Sequence, residues 1–301
     1  MTNRPKIVVV GSANTDLVLQ VPRLPRAGET VTSSRFFQAL GGKGANQAVA
    51  AARLGAEVTF VCKLGRDEYG RGCYAAYQAE DMNLEYAVWD EETPTGVAFV
   101  FVSDSSENLI GVAPGANMRL SAAEVLRAEG AIAAADCLLV QLEVPHDADR
   151  AAMEMAHRRG IPVILNPAPP APFPADLLDA VDVLTPNETE LEFILKNFGT
   201  EGLDWLSRRV ANLVVTLGAQ GCRVISQGRD EMYPAFRVQA VDTTAAGDAF
   251  NGGLAVALAR KLPLTEAVRF ASAVGALSVT RLGAMNSLPS AAEVEEFLAG
   301  Q

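Results

Sequence analysis

The chain has 301 residues, of which 49% are hydrophobic and 20% are charged, and its formal net charge is −11. This is the composition of a soluble globular protein, and the negative charge argues against nucleic-acid binding or attachment to an anionic membrane, because both need basic surfaces. A phosphorylated ligand remains compatible with it, since backbone amides and a bound metal can supply local positive potential. We therefore expect small-molecule partners.

Short apolar runs alternate with helical patterns along most of the chain. Strands are predicted at 7–10, 58–62, 137–141, 162–165, 181–184 and 213–217. Helices are predicted at 44–54, 69–81, 122–133, 147–159 and 188–196, followed by a helical tail at 249–259, 264–279 and 291–298. Fully apolar strands alternating with helices predict an α/β fold built on a mostly parallel sheet.

Four further segments alternate in polarity and are rich in β-forming residues: 16–21, 30–38, 96–103 and 107–112. They predict antiparallel strands of a small accessory sheet, which could cover a site as a lid or pair with a second copy of the chain. No internal repeat or long linker divides the sequence. We therefore predict a single domain over 1–301, with lid strands approximately within 14–40 and 94–113.

The cysteines and the N-terminus indicate a cytoplasmic protein. The four cysteines show no Cys-x-x-Cys spacing and have apolar or small neighbours, which favours reduced and mostly buried thiols; they are Cys62, Cys73, Cys137 and Cys222. The apolar run near the N-terminus is too short for a signal sequence, and no stretch approaches the roughly 20 apolar residues that span a bilayer.

Two polar turns follow early elements. Asn14 and Asp16 come just after the first strand, where ligands of parallel sheets collect, and they could hydrogen-bond adjacent hydroxyls. The segment 41–46 opens the first long helix with three glycines, and Lys43 and Asn46 offer donors there. It lacks the spacing of a P-loop. Both segments also fit ordinary polar turns.

Two later segments allow a structural and a functional interpretation. Asn187 and Glu190 have the spacing of a capping box, and the same pair could position a water-bound Mg²⁺ near phosphates. These roles are not exclusive. The segment 216–221 contains two glycines between predicted strands, so it suits either a hairpin turn or room for a nucleotide.

The most informative segment is 242–248, Asp-Thr-Thr-Ala-Ala-Gly-Asp, which leads into a helix. Such a loop can point backbone N–H groups at an anion, and Asp248 beside it could take a proton from a hydroxyl that attacks a phosphate. Alternatively, Thr243 or Thr244 caps the helix and Asp248 complements the helix dipole. This pattern alone leaves both interpretations open.

Together these segments resemble the ribokinase family of carbohydrate kinases. The matches run in order from Val9 to nearly the C-terminus and include 11–16, 41–50, 166–169, 185–190 and 238–243. The resemblance implies a three-layer α/β/α sandwich with a mostly parallel central sheet and a small β-sheet lid. It also implies ATP-dependent phosphorylation of D-ribose at the primary 5-hydroxyl, with Mg²⁺, activation by a monovalent cation such as K⁺, and a homodimer formed through the lid.

The resemblance also implies roles for individual residues. The sugar would be bound by Asn14, Asp16, Gly42, Lys43, Asn46 and Glu143, beside the base Asp248. The amides of Ala245, Ala246 and Gly247 would form the anion hole. Asn187 and Glu190 match the Mg²⁺ and phosphate motif, and the nucleotide would also contact Thr216, Gly218, Gly221, Gly247 and Ser272. The monovalent cation would lie near Asp242, Thr244, Ser278, Arg281, Gly283 and Ser287, partly on backbone carbonyls.

The sequence departs from the family pattern in two places. The segment 191–212 is short, which puts its local helices in doubt, and Leu282, Met285 and Asn286 are unexpected near the cation loop. A kinase for deoxyribose or another small sugar, and a non-catalytic sugar-responsive protein on the same fold, remain alternatives. A dinucleotide-dependent oxidoreductase is disfavoured, because no Gly-x-Gly-x-x-Gly follows the first strand.

Overall fold

The computed structural model describes residues 4–105, 107–199 and 202–301. Residues 1–3, 106 and 200–201 of the predicted domain 1–301 lie outside the described ones. The strands are β1 (Lys6–Val10), β2 (Asn14–Val21), β3 (Arg35–Gly41), β4 (Glu57–Val61), β5 (Lys63–Gly65), β6 (Val88–Asp90), β7 (Gly96–Ser103), β8 (Asn108–Ala113), β9 (Cys137–Gln141), β10 (Val163–Asn166), β11 (Val183–Leu184), β12 (Asn212–Thr216), β13 (Cys222–Ser226) and β14 (Arg229–Tyr233). The helices are α1 (Lys43–Arg53), α2 (Glu68–Ala79), α3 (Ala122–Leu126), α4 (Glu129–Ala133), α5 (His146–Arg158), α6 (Glu188–Asn197), α7 (Leu203–Arg209), α8 (Ala246–Ala259), α9 (Leu264–Ser278) and α10 (Ala291–Ala299).

The central sheet has eight strands in the order β14-β13-β12-β11-β10-β9-β1-β4. The strands from β4 to β12 pair in parallel, and β12, β13 and β14 pair antiparallel. Alternate residues of β1 enter two separate cores: Ile7 and Val9 pack with α1, α8 and α9, whereas Val8 and Val10 pack with α3, α4 and α5. Helices therefore cover both faces of the sheet, and the predicted three-layer α/β/α fold is confirmed.

The second sheet has the order β3-β2-β7-β8. Its outer pairs are antiparallel as expected, but β2 and β7 run parallel, with Asn14 opposite Gly96, so the expectation of a purely antiparallel sheet is wrong. Both strands start from the same edge of the molecule, because α1, β4 and α2 bring the chain back there before β7 begins. The strand predicted at 30–38 also begins later in the chain, as β3 at Arg35–Gly41.

Other differences follow from weak sequence signals. The single helix expected at 122–133 is two helices, α3 and α4, whose buried Val125 and Ile132 nevertheless reach the same core. The strand β14 was not predicted because its residues are polar and largely exposed at the sheet edge. Helix α7 lies in the segment whose local helices the sequence left in doubt.

The cysteine prediction is confirmed, because all four thiols are buried and unpaired. Within the described ranges, no helix has both the length and the apolar character that crossing a bilayer requires.

Asp149, on the first turns of α5, is a buried carboxyl group in an apolar core. It is 0% exposed, and neither carboxylate oxygen has a hydrogen-bond partner among the described residues. Burial, with a smaller contribution from the negative charge of Asp147, raises the pKa of Asp149 well above its usual range. The folded protein therefore favours the neutral acid at this position.

We predict that Asp149→Asn raises the free energy of unfolding at pH 7 by at least about 1 kcal/mol, because the wild-type carboxyl must take up a proton on folding whereas the amide is neutral in both states. The pKa is higher in the folded state, so wild-type stability falls as pH rises above the unfolded value of about 3.9. The gain should therefore shrink as pH is lowered towards 4. Urea unfolding at several pH values measures it, with Asp204→Asn, an exposed first-turn aspartate of α7, as control. A gain independent of pH would contradict the assignment.

Candidate active site

Helix α1 begins tightly against the turn that follows β1. Its N-cap Gly42 has φ 89°, and a Cβ there would lie 2.9 Å from both Asn14 N and Ser12 O. A Cβ on Gly44 would lie 2.5 Å from Ser12 N. Only glycine permits this backbone approach, which brings Lys43 and the rest of the first turn to the carboxyl edge of the central sheet.

Helix α8 begins without a side-chain cap. Its N-cap is Ala245, in the left-handed conformation with φ 60°, and no side-chain hydrogen bond caps the helix. Thr244 instead donates to Asp242, so the interpretation of Thr243 or Thr244 as the cap is wrong. The Ala246 N–H donates to Thr243 O at 3.2 Å within the loop, which engages one of the three amides that the sequence placed in an anion hole.

A cavity of about 210 Å³ lies at this helix N-terminus. Its walls include eight residues that the sequence singled out, namely Lys43, Asn187, Glu190, Thr216, Ala245, Ala246, Gly247 and Asp248. Four further lining residues had no site role assigned from the sequence: Asn166, Thr185, Thr243 and Asn251. Asn166 and Thr185 directly follow strands predicted from the sequence. Because ligands collect at the carboxyl ends of parallel strands, both could have been predicted as site residues.

Asp248 is only 6% exposed, yet it forms part of the cavity wall. Its Oδ2 accepts a hydrogen bond from Asn46 Nδ2 at 2.9 Å, and its Oδ1 accepts one from Gln47 Nε2 at 3.0 Å. Burial raises the pKa of Asp248, while the positive charge of Lys43 and the two amide donors oppose that rise. Asp248 is thus a largely buried carboxyl group that two hydrogen bonds fix at the edge of the cavity.

Asn187 and Glu190 form a true capping box for α6. The Glu190 N–H donates to Asn187 Oδ1 and the Asn187 N–H donates to Glu190 Oε2, both at 2.8 Å. Burial raises the pKa of Glu190. The structural role is therefore present. Both residues also line the cavity, and their role in Mg²⁺ binding stays a prediction.

Three predicted sugar residues lie beside the start of α1. Asn14 Oδ1 accepts from Asn117 Nδ2 at 2.7 Å, and Glu143 Oε2 accepts from the Lys43 backbone N–H at 3.0 Å and also from the Ser12 hydroxyl. A Cβ on Gly41 would collide with the Asp16 carboxylate, so this glycine leaves room for it.

Negative charges surround one lysine at this site. Burial, followed by the charges of Glu143 and Asp248, raises the pKa of Asp16 to about 6. Burial alone would lower the pKa of Lys43, but the charges of Asp248, Glu143 and Glu190 outweigh it and raise the pKa. Lys43 therefore stays charged at neutral pH.

The predicted nucleotide residues are spread around the β12–β13 connection. The hairpin interpretation is correct, since β12 and β13 are antiparallel and Gly218–Gln220 forms the turn. Gly221 has φ 100°, and a Cβ there would collide with Tyr233 O. Thr216 lines the cavity, whereas Gly218 and Ser272 are not part of its wall; Ser272 lies beside the Cys222 thiol.

Two of the predicted cation residues, Thr244 and Gly283, donate hydrogen bonds to a third, Asp242. Asp242 accepts from the Thr244 N–H at 2.9 Å, the Thr244 hydroxyl at 2.6 Å and the Gly283 N–H at 2.8 Å. Burial raises the pKa of Asp242, but these bonds outweigh it and lower the pKa. The hydroxyls of Ser278 and Ser287 donate to the carbonyls of Gly275 and Ala284 respectively.

The Arg281 side chain is paired with α10, because its Nη2 lies 2.5 Å from Glu293 Oε1. In the part of the chain that the structure describes, no three His, Cys, Asp or Glu side chains cluster as metal ligands. A cation here would therefore depend mainly on backbone carbonyls, and its site stays a prediction.

Known proteins resemble this chain over nearly its whole length. The profile of the pfkB family carbohydrate kinases matches residues 4–291. The ribokinase of Haemophilus influenzae is 42% identical over 98% of this chain and 99% of its own, and that of Bacillus subtilis is 39% identical over 97% and 99%.

Solved structures agree with these sequence matches. The crystal structure of Thermotoga maritima ribokinase has a TM-score of 0.90 and 36% identity, covering 99% of this chain and 100% of that one. The structure of Arabidopsis thaliana ribokinase complexed with ribose and ATP has a TM-score of 0.86 and 33% identity, covering 98% and 99%.

We predict that the Asp16 carboxyl titrates near pH 6 in the unliganded protein. The cause is burial together with two neighbouring negative charges, so Glu143→Gln should lower that pKa towards its usual value of about 3.9. Carbon-detected NMR of the aspartate carboxyl groups measures both values, with Asp16→Asn used to assign the resonance. A pKa that Glu143→Gln leaves unchanged would show that the Glu143 charge does not act on Asp16.

Proposed function

This chain belongs to the pfkB family of carbohydrate kinases, and we propose that it transfers the terminal phosphoryl group of ATP to the 5-hydroxyl of D-ribose. The observation that carries the proposal is the position of Asp248. Its carboxyl group, in the first turn of α8, accepts two hydrogen bonds from amides and lies on the wall of the cavity. The similarity of the whole chain to ribokinases, one of which was solved in complex with ribose and ATP, supports the choice of both substrates.

The proposed sugar site lies between the lid strands and α1. Asn14, Asp16, Asn46 and Glu143 present oxygen and amide groups there, and Lys43 adds a charged donor. In the ionised form, Asp16 and Glu143 accept hydrogen bonds from sugar hydroxyls, with Gly42 leaving room for the sugar. A ribose bound by these groups would have its 5-hydroxyl at Asp248, whose charge also acts on Asp16.

The proposed chemical step uses Asp248 as general base. In a loose phosphoryl-transfer transition state the attacking hydroxyl loses its proton late, so a carboxylate of modest basicity suffices. The N–H groups of the first turn of α8, with Gly247 nearest the base in the chain, favour negative charge on the transferring group because the helix dipole points there. Ala245 and Ala246 shape the loop that exposes this helix end.

Two cations fit the side chains that are present. One carboxylate and one amide oxygen, from Glu190 and Asn187, suit a Mg²⁺ ion that keeps several waters, and such an ion would neutralise charge on the nucleotide phosphates. The proposed K⁺ ion would be held near Asp242, Thr244, Ser278, Arg281, Gly283 and Ser287, partly by backbone carbonyl oxygens. The nucleotide would extend from Asn187 past Thr216 and the glycines of the β12–β13 turn towards Ser272.

We also propose that the sheet β3-β2-β7-β8 is a lid on a single domain and that two copies associate through it. Five of the large exposed apolar side chains lie on this sheet: Phe36, Phe99, Leu109, Ile110 and Val112. By the register of the strands, Phe36, Phe99 and Leu109 share one face of the sheet, whereas Ile110 and Val112 are on the other face. Exposed apolar side chains that cluster on one face are typical of an interface. Lid closure would also keep water from the phosphoryl group.

We expect Asp248→Asn to lower kcat by roughly 10²–10⁴-fold, because the amide cannot accept the proton. Ribose binding should be largely retained, since the amide keeps one hydrogen-bond acceptor. ADP release in a coupled assay measures kcat, and calorimetry measures binding. The exposed Asp147→Asn serves as control. Near-normal turnover of Asp248→Asn would rule out Asp248 as the base.

We expect Glu190→Gln to raise the Mg²⁺ concentration needed for half-maximal activity by about 10–100-fold. Glutamine also suits this position of a capping box, so α6 should stay folded. The matched control is Glu124→Gln, which changes the same capping-box position in α3, away from the cavity. An equal Mg²⁺ response in both variants would show that Glu190 only caps the helix.

A further inference from the structure

Gln47 lies behind Asp248 and has been described so far only as one of its two amide donors. It is on the second turn of α1, and it is 0% exposed. The two helices that carry these residues approach closely at this level: a Cβ on Gly252 of α8 would lie 2.5 Å from the Ala50 Cβ and 2.9 Å from the Gln47 carbonyl oxygen. Glycine at 252 therefore allows the contact that places Gln47 against Asp248.

Every hydrogen-bonding group of the Gln47 amide has a partner. Its Nε2 donates to Asp248 Oδ1 and to Asn166 Oδ1, both at 3.0 Å. Its Oε1 accepts from Gln141 Nε2 at 2.6 Å. Asn166 in turn donates from Nδ2 to the Thr185 carbonyl at 3.0 Å. Four side chains thus form one buried network across the ends of β9 and β10.

The direction of every amide in this network is fixed by groups that can only accept. An ionised Asp248 has no proton to donate, so the Gln47 NH₂ group must face it and the Gln47 oxygen must face Gln141. The Thr185 carbonyl likewise requires the Asn166 NH₂ group, which leaves the Asn166 oxygen for Gln47. The network therefore has a single orientation, and it presents a donor to the Asp248 carboxylate.

Gln141 supports this orientation from the sheet. It is the last residue of β9 and is opposite Asn166 in the register of β9 and β10. Its own oxygen is buried without a partner among the described residues, and a Cβ on Gly11 would collide with that oxygen. Gly11 thus leaves room for Gln141 to stand behind Gln47.

We propose that Gln47 is a positioning residue for Asp248, held by Gln141, and that it fixes the rotamer of the carboxylate so that one oxygen stays directed at the attacking hydroxyl. The inference rests on the proposed function of Asp248 as base. With Asn46 it gives each carboxylate oxygen one donor. A donor to the ionised form also favours that form over the neutral acid.

A double-mutant cycle on the full-length protein tests this inference. Gln47→Met keeps an unbranched side chain of similar length but removes the amide. We expect it to lower kcat by about 10–10²-fold, the effect of misplacing a reacting group by about 1 Å, while KM for ribose changes less than about threefold. In the Asp248→Asn background, Gln47→Met should lower kcat less than about twofold further, because the group that it positions is gone.

The same cycle separates positioning from a general loss of structure. Asn212 donates to the Asp182 carbonyl and accepts from the Ser226 hydroxyl at the opposite end of the strands. Asn212→Leu should therefore lower the unfolding midpoint and leave kcat unchanged. An equal loss of kcat from Gln47→Met in both backgrounds, or no loss in either, would overturn the inference.

Gln141→Met extends the test one step further from Asp248. It leaves the bond between Gln47 and Asp248 in place, so we expect a loss of only a few-fold in kcat, again absent in the Asp248→Asn background. If Gln47→Met does not fold, the double-mutant cycle is measured with Gln141→Met instead. An unchanged kcat of Gln141→Met then counts against the inference. A wild-type level of turnover in Asp248→Asn alone would instead refute the proposed function.

Discussion

The site depends on one carboxyl group, Asp248, that is held out of water among hydrogen-bond donors. Burial alone would favour its neutral acid, so the fold has to supply donors and a positive charge around it. Asn46 and Gln47 supply the donors and Lys43 the charge. All three are on the first turns of α1, so the position of this one helix limits how far burial raises the pKa of Asp248.

Close backbone packing gives α1 that position. Gly42 and Gly44 let it start against the turn after β1, and Gly252 lets α8 lie against its second turn. A side chain at any of these positions would separate the two helices or push α1 from the sheet edge. These close contacts bring Asn46 and Gln47 within ordinary hydrogen-bond distance of Asp248.

Several residues combine a structural and a chemical role. Asn187 and Glu190 cap α6 through two reciprocal bonds while facing the cavity, and Asp242 orders its loop with three bonds in the region proposed for a cation. The capping box uses Oε2 of Glu190, and Oε1 accepts no hydrogen bond from the described residues. A carboxylate with two acceptor oxygens can therefore serve both purposes, and spacing alone cannot choose between them.

The sequence by itself determined the α/β class, the buried strands and the segments that meet at the cavity, because hydrophobic periodicity and glycine-rich turns are local signals. It missed β14, whose residues are polar, and the parallel pairing of β2 with β7, since pairing depends on the path between the two strands. It also missed Gln47 and Asn166. Only the tertiary structure decided that these amides share one network with Asp248, because their partners are distant in the chain and orientation is set by acceptors in three dimensions.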